Sequence, residues 1–328
     1  MLRPAIGLLV CSFLAKACAL ELSLPTDNAA LFEKQPPEPF YMGVDREDRR
    51  VWQGGTFGFV RSPLVWLGGT VFTQFHEGID IAPVRRDANG MPADEVRAIS
   101  EGTVVLCETR GLTQYGNQVV LRHDWGDGPV YSRYAHLRSV TVALGDKVQR
   151  GRALGIMGYT GGALTVQRAH LHLEVDLMLQ QKADLSWLPE RAGDVRYHPA
   201  NMKGVDAATL FLALRTKPEL TMAEFVKAQT PYFSVATKAD EPVDLLRRCG
   251  WLSTGKLEAP GWKMSFTEWG LPVHFEAILD PPATPQVVWV RAFEGKHVWT
   301  TGGLLSGTGE SAVLSTSGLA LLRLILGE

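Results

Sequence analysis

The sequence predicts a mainly β protein in two parts: an antiparallel β-sheet or sandwich over residues 51–180, followed by a smaller α+β domain over 203–328. In the first part, short β-rich runs such as GTVVLCE, NQVVLRH and HLHLEV alternate with glycine-marked turns such as LGD and YTGG. No segment between these runs has a long helical period. In the second part, strand-like runs such as MSFTEW and QVVWVRAF are mixed with helical signals, which predicts the change of fold class.

Two helices are predicted in the second part. The sequence TMAE at 221–224 is a capping box, which predicts a helix that continues to about Ala228. The terminal segment AVLSTSGLALLRLILGE predicts a docked helix, and Arg323 and the short length argue against a membrane span. We assign residues 181–202 to a linker between the two parts.

The first 19 residues have the composition of a secretory signal peptide. Arg3 supplies positive charge, residues 5–15 form a short apolar run, and Ala17-Cys18-Ala19 is a small-residue cleavage site. The run is shorter than the roughly 20 apolar residues that cross a bilayer. We therefore expect export to the periplasm or the cell envelope and no membrane span after the signal is removed. A buried helix and a retained anchor are the alternatives, and a lipoprotein linked through Cys18 is disfavoured because no Leu stands three residues before it.

The rest of the composition is that of a globular protein. Residues 20–50 are polar and proline-rich, so we expect a lead-in with little core of its own. A net charge of −2 gives no electrostatic case for nucleic acid or an anionic membrane as the main partner. Cys107 and Cys249 lack C-x-x-C spacing, which favours two separate buried thiols over a disulfide.

Histidines are concentrated in the first part. Five of the eight lie there, at His76, His123, His136, His170 and His172. Because side chains alternate along a strand, His170 and His172 in AHLHLEV share a face and the neighbouring leucines face a core. Together with His76, Asp80 and His136 this pattern suggests a zinc site, because Zn²⁺ binds imidazole nitrogen and carboxylate oxygen. Unrelated structural histidines are the alternative.

Several motifs occur here in a fixed order. FHEGIDIA, YGNQVVLRH, YSRYAHLRSVTVALGDKVQRGRALGIMGYTGG and AHLHLEV resemble the motifs of lysostaphin-like (LytM-type) zinc metallopeptidases. These are cell-wall endopeptidases with H-x-x-x-D, Y-x-H-L and H-x-H elements and a duplicated-hybrid-motif fold. FGFVRSP also resembles the F-G-x-R segment that opens the domain, so the resemblance covers about 55–176. The three elements in order are specific, whereas H-x-H alone would be weak.

The resemblance implies a role for each of five side chains. His76, Asp80 and His172 would hold Zn²⁺, and His136 and His170 would stand beside the metal without binding it. A zinc-bound water would be the nucleophile, with one of these two histidines as general base and the other stabilising the oxyanion. The residues do not decide between them, and His136 is only slightly favoured as the base.

Two other residues and two departures from the family pattern complete the site expectations. Tyr134 stands two residues before His136 on the same face of a predicted strand, so it either lines the cleft or has an ordinary packing role. His123 is the other possible cleft-lining residue, although a structural role is favoured for it. The segment RRDANGMPADE is longer than the usual link and could reshape one wall of the cleft. TVQRAHLH replaces the glycine-rich segment that precedes H-x-H in many members of the family. Its Arg168 either contacts an acidic group of the substrate or is solvated, and we favour solvation.

The expected function is that of an exported zinc endopeptidase that cuts peptide cross-links of bacterial peptidoglycan. The alternative is a non-catalytic LytM-type module that binds the wall or regulates an amidase, but such relatives typically lose ligands that this chain keeps. The tryptophans of 203–328 favour a core over a sugar-stacking surface. Targeting to the wall, restraint of the peptidase and docking of a cell-wall or division partner all stay open for this part.

Overall fold

The computed structural model describes residues 20–328 except for residue 48, residue 163, residues 182–193 and residue 256. The expected signal peptide and most of the expected linker lie outside the described residues, and both stay predictions. Within the described residues the chain is mainly β, as the sequence predicts.

The strands are short and alternate with turns. In chain order they are β1 (Val44–Arg46), β2 (Arg49–Val51), β3 (Gly58–Trp66), β4 (Gly69–His76), β5 (Ile79–Ile81), β6 (Glu95–Arg97), β7 (Gly102–Glu108), β8 (Gln118–Asp124), β9 (Pro129–Ala135), β10 (Ser139–Val140), β11 (Lys147–Val148), β12 (Ala153–Ile156), β13 (Leu171–Met178), β14 (Met202–Val205), β15 (Phe233–Lys238), β16 (Gly261–Phe266), β17 (Pro272–Ile278), β18 (Gln286–Val290), β19 (Leu305–Ser306) and β20 (Val313–Leu314). The α-helices are α1 (Ala30–Glu33), α2 (Ala207–Thr216), α3 (Met222–Lys227), α4 (Asp244–Arg248), α5 (His297–Thr300) and α6 (Thr316–Leu326).

The largest sheet has seven strands, in the order β11-β7-β8-β9-β13-β14, and β5 also pairs with β13. All of these pairings are antiparallel. β13 is the central strand for the site, because β9 runs along one side of it while β5 and β14 share the other. In this register His172 lies opposite Asp80 on β5 and opposite Ala135 on β9.

One face of β5 and β13 is held in the core. Ile79, Ile81, Leu171 and Leu173 are fully buried in the main apolar cluster. Burying an aliphatic side chain of this size stabilises the fold by roughly 1.5–3 kcal/mol. Since side chains alternate along a strand, the residues between them are directed to the opposite face.

The lead-in, residues 20–50, contributes apolar side chains to this core although it is polar on average. Leu31 and Phe40 are fully buried in the same cluster. The backbone of the lead-in also runs beside β5, because Met42 N donates to Asp80 O at 2.8 Å and Ala82 N donates to Phe40 O at 2.9 Å. A few large apolar side chains are enough to dock a segment that is polar on average.

The C-terminal part has a four-stranded antiparallel sheet, in the order β17-β16-β15-β18. The predicted capping box opens α3, where Glu224 N donates to the Thr221 hydroxyl and Thr221 N donates to the Glu224 carboxylate, each at 3.2 Å. The predicted terminal helix is α6, and its buried leucines pack on the main core. Among the described residues, no helix has the length and apolar character that a bilayer crossing requires.

Trp269 joins the C-terminal part to the first part. Its ring stacks on Phe75 with centroids 5.6 Å apart and meets the edge of Phe57 at 5.3 Å. Its Nε1 donates to Gly204 O at 2.9 Å. Phe75 precedes His76 in β4, so the C-terminal part supports the strand that ends at the first predicted ligand.

Both cysteines of the described chain are free thiols, as the sequence favours. Cys249 is buried in the main core cluster, and burial raises the pKa of its thiol to about 11. A thiol of this kind is protonated and unreactive at neutral pH.

Candidate metal centre

Three predicted ligands converge near the start of β13. His76 is the last residue of β4, Asp80 is the middle residue of β5 and His172 is the second residue of β13. One ligand atom from each of these buried side chains lies within 4.8 Å of the other two. Strand pairing brings them together, because β13 places His172 directly opposite Asp80.

Gly78 allows this approach. A Cβ at this position would lie 2.9 Å from the His172 ring and 2.5 Å from Leu173 O, closer than atoms pack. The glycine in H-E-G-I-D therefore has a steric reason. It lets the turn between β4 and β5 pass under the imidazole of β13.

The hydrogen bonds of the two predicted ligand histidines fix their tautomers. His76 Nδ1 lies 2.8 Å from Thr56 O, and since a carbonyl only accepts, Nδ1 donates and Nε2 keeps its lone pair. His172 Nε2 lies 2.9 Å from a carboxylate oxygen of Glu174, so Nε2 donates and Nδ1 keeps its lone pair. These two lone-pair nitrogens are 3.2 Å apart.

Asp80 Oδ1 completes the set, at 3.1 Å from His76 Nε2 and 2.9 Å from His172 Nδ1. Three acceptor atoms in mutual contact repel one another unless positive charge lies among them. Two imidazoles and one carboxylate are a ligand set that suits zinc and leaves a fourth position open. The residues present therefore fit a zinc ion.

The electrostatics of the three side chains favour a bound cation. Burial lowers the pKa of His76 and keeps the ring neutral. Burial also opposes charge on His172, but hydrogen bonds to Asp80 and Glu174 outweigh it and raise its pKa to about 9. Burial would raise the pKa of Asp80, yet electrostatic interactions with the His170 and His76 rings and hydrogen bonds from His170 and His172 hold it well below its usual range. The cluster thus attracts a proton in place of a cation, and a bound metal displaces that proton.

Arg61 holds the outer oxygen of Asp80. Its Nη2 donates to Asp80 Oδ2 at 2.5 Å, and its Nε donates to Gly54 O at 2.8 Å. The bond to Oδ2 leaves Oδ1 directed at the histidines. Sequence reasoning did not assign this role, although Arg61 is the arginine of FGFVRSP.

His136 and His170 stand beside the three donors, with ring centroids 4.8 Å apart. His136 Nδ1 donates to Thr160 O at 2.8 Å, and His170 Nδ1 donates to Arg168 O at 2.7 Å. Burial and the nearby His170 and His172 lower the pKa of His136 to about 3, so its ring is neutral and Nε2 can accept a proton. His170 Nε2 lies 3.2 Å from Asp80 Oδ1.

A buried ion pair lies behind His172. Glu174 Oε1 accepts from His172 and from the Tyr115 hydroxyl at 2.7 Å, and Glu174 Oε2 accepts from Arg133 Nε at 2.7 Å. Burial opposes ionisation of Glu174, but the charge of Arg133 lowers its pKa well below the usual range. A carboxylate that orients a metal-binding histidine is a common partner at such sites. Sequence reasoning missed it, although Glu174 follows His172 by two residues and so shares its face.

The side chains of His76, Asp80, His136, His170 and His172 all line one cleft, whose volume is about 480 Å³. Residues 74–184, which include these five, match the family model of peptidase family M23. This chain carries an M23 domain.

Two curated relatives resemble the M23 domain. Peptidoglycan DD-endopeptidase ShyA of Vibrio cholerae is 38% identical over 102 residues, which are 30% of this chain and 20% of that protein. An uncharacterized metalloprotease of Buchnera aphidicola is 32% identical over 101 residues, which are 30% of this chain and 23% of that protein. The match thus spans less than a quarter of either relative.

A solved structure was also found. The catalytic domain of the antimicrobial peptidase lysostaphin from Staphylococcus simulans is 29% identical and covers 37% of this chain and 75% of that chain. Its TM-score is 0.26.

The structure corrects the cleft-lining role proposed for Tyr134 and His123. Both are fully buried and neither lines the cleft of the M23 domain. β9 ends at Ala135, and His136 has a φ of 62°, so strand alternation cannot be extended from Tyr134 to His136. Instead Tyr134 accepts from Ile99 N at 2.8 Å in the interior of the domain.

His123 belongs to the same interior network. Its Nδ1 donates to Glu101 O at 2.6 Å, and its Nε2 lies 2.7 Å from the Ser132 hydroxyl. The Ser132 hydroxyl is also 3.0 Å from the Tyr134 hydroxyl. His123 therefore connects two strands of the sheet through hydrogen bonds, which is the structural role that the sequence favoured.

Proposed function

We propose that this chain is a zinc-dependent endopeptidase that hydrolyses peptide cross-links of bacterial peptidoglycan. The observation that carries the proposal is the meeting of His76 Nε2, Asp80 Oδ1 and His172 Nδ1, with His136 and His170 on the same cleft wall. A structural cluster would not need two further histidines in an open cleft. A hydrolase needs both a metal and a proton acceptor beside it.

Zinc bound by these three residues would lower the pKa of water toward about 7 and polarise a peptide carbonyl. His136 supplies the proton acceptor at Nε2, because its Nδ1–H is committed to Thr160 O. The same atom returns the proton to the leaving amine. His170 is held by Arg168 O, so its Nε2 is fixed in the cleft, and when the ring carries a second proton this atom can donate to the developing oxyanion.

The choice of peptidoglycan rests on the M23 match and on the relative named as a peptidoglycan DD-endopeptidase. Export, which a wall substrate demands, rests on the N-terminal signal pattern. We also propose that residues 51–180 form the catalytic domain and that 203–328 form a second domain behind it. The contact of Trp269 with Phe75 gives this second domain a supporting role.

The decisive experiment combines metal analysis with digestion of purified sacculi. We expect one zinc per chain and release of peptide fragments by the wild type, with both lost in His76→Ala. Mass spectrometry of the fragments would identify the bond that is cut. A wild type that holds no zinc and releases nothing, yet binds sacculi, would favour the non-catalytic wall-binding or amidase-regulating module instead.

A further inference from the structure

Arg168 is an arginine of the cleft wall that has no partner for its charge. It ends a short 3₁₀ turn, Val166–Arg168, and lines the cleft together with His136 and His170. Its Nε is buried and makes no hydrogen bond. Among the described residues no carboxylate lies within ion-pair distance of it. The side chain as a whole is half-buried, so the solvation that the sequence favoured stays a prediction for the outer nitrogens, whereas water does not reach Nε.

The acidic side chains of the cleft are already engaged. Asp80 accepts from Arg61, and Glu174 accepts from Arg133. Asp194 pairs with Arg196 next to it in sequence.

Glu77 accepts from Gly204 N at 2.8 Å, so one oxygen of this carboxylate is engaged as well. The cleft therefore offers one arginine whose charge is not balanced from within the described protein. An unbalanced buried donor in a binding cleft favours a ligand with a complementary anion.

The turn that carries Arg168 is held in place from outside the cleft. Arg86 Nη1 donates to Val166 O and to Gly90 O, each at 2.8 Å. Arg86 belongs to RRDANGMPADE, the segment that is longer than the family pattern. Asp87 orders that segment by accepting from Asn89 N at 2.9 Å and from Met91 N at 3.0 Å. The sequence suggested that this segment could reshape one wall of the cleft. It does not line the cleft itself but supports the turn that does.

The two departures from the family pattern thus contact each other. The insertion positions the turn, and the turn presents the arginine. Because the backbone of its turn is held, Arg168 loses less conformational freedom on binding a carboxylate than an arginine on a free loop would. Its planar set of donors matches the two oxygens of a carboxylate, which a lysine ammonium cannot reproduce.

We propose that Arg168 binds a free carboxylate of the stem peptide and so selects peptidoglycan whose carboxyl groups are not amidated. The inference rests on the proposed function for its substrate. The arginine also lies two residues before His170, and its own carbonyl accepts from that ring. The carboxylate would therefore be held close to the reacting bond.

The test is equilibrium binding of a soluble disaccharide-tetrapeptide by calorimetry, in the free-acid form and in the form whose carboxyl groups are amidated. This fragment has no cross-link to cut, so binding is measured apart from turnover. We expect the wild type to prefer the free acid by about 10- to 100-fold, as for loss of a charge-assisted hydrogen bond. Arg168→Ala should lose that preference by weakening the acid form only.

Three variants sharpen the test. Arg168→Lys should keep only part of the preference, and Arg86→Ala should reduce it less than Arg168→Ala does. Arg247→Ala removes an exposed arginine of the C-terminal part and should change nothing. The amidated ligand tests the wild type directly, so the result does not depend on any variant folding.

The inference is overturned if the wild type binds acid and amide equally, if it binds neither, or if Arg168→Ala weakens both to the same extent. Digestion of sacculi separates this outcome from the proposed function. If sacculi are cut but acid and amide ligands bind equally, the carboxylate site is wrong and the proposed peptidase activity is supported. If the acid ligand is preferred but sacculi are not cut, the carboxylate site is supported and the proposed activity is wrong.

Discussion

The M23 domain and the C-terminal part bury different kinds of polar side chain. In the M23 domain the buried set includes charged groups such as Asp80, Arg133 and Glu174. Among the described residues of 203–328, the buried polar side chains are hydroxyls and one histidine: Ser234, Thr237, Thr267, His297 and Thr301. A buried charge is expensive unless it is paired, so its presence marks a place where function outweighs stability.

The buried histidines of the two regions show the difference most clearly. His297 Nε2 donates to Gly309 O at 2.8 Å, and its Nδ1 lies 3.0 Å from the Tyr232 hydroxyl, which can donate to it. Both nitrogens are therefore satisfied by neutral groups. His172 Nδ1 instead faces two other acceptor atoms, His76 Nε2 and Asp80 Oδ1. Burial does not make a histidine a ligand; the atoms that face its nitrogens do.

The largest expected effect separates the two roles within the M23 site. His172→Ala should lose both zinc and activity, because it removes one of three ligands. His170→Ala should keep most of the zinc and lose about 10²- to 10⁴-fold in rate, as for loss of one proton-transfer group. Zinc content and fragment release measure the two, and His274→Ala, in the C-terminal part, is the control. If His170→Ala alone emptied the site, the division of roles would be wrong.

In the C-terminal part, a substitution in the core should lower stability without removing zinc. Trp262 is buried in the core of the four-stranded sheet, so Trp262→Ala should lower the free energy of unfolding by about 3–5 kcal/mol. The folded variant should still bind one zinc. Urea unfolding followed by fluorescence gives the first quantity and metal analysis the second. Loss of zinc from folded Trp262→Ala would show that the two regions are not separable in this way.

A pH effect is expected from His123, which is buried as a neutral ring. Burial lowers its pKa to about 4, whereas an unfolded histidine has a pKa near 6.5. Below pH 6.5 His123 binds a proton in the unfolded chain but not in the folded chain. The free energy of unfolding therefore decreases as the pH falls toward 4. Between pH 8 and pH 5 the contribution is about 2 kcal/mol.

The measurement is the free energy of unfolding at these two pH values, for the wild type and for His123→Gln. The variant is less stable overall, but its pH 8 to pH 5 difference should be smaller by that amount. An unchanged difference would mean that the ring is protonated in the fold.

The smallest expected effect concerns the carboxylate behind His172. Glu174→Gln removes the charge that orients the imidazole, and zinc affinity should fall about 10- to 100-fold. Competition with a chelator measures the affinity. Glu276→Gln, which breaks an exposed pair with Lys263 in the C-terminal part, should leave it unchanged. Equal losses in the two variants would point to a general effect of charge rather than to Glu174.

The pattern of the sequence predicted much of this molecule. Alternation in AHLHLEV predicted that His170 and His172 share a side, and the strand runs of the C-terminal part correspond to β16, β17 and β18. The same alternation failed for Tyr134, because β9 ends before His136 and the left-handed backbone there redirects the chain. Average polarity was a poor guide to the lead-in, because Leu31 and Phe40 are buried in the main core and backbone hydrogen bonds also join the segment to β5.

By itself the sequence determined which residue types were available and in what order: imidazoles and a carboxylate spaced on short strands, with glycine where the chain must pass closely. Those are local properties, set by alternation and by steric limits on a few neighbouring residues. Only the tertiary structure decided that Arg61 holds the second oxygen of Asp80, that Glu174 orients His172, and that Arg86 supports the turn of Arg168. These contacts join residues on different strands and loops, or depend on side-chain geometry. Strand register and packing create them, and no local pattern encodes either.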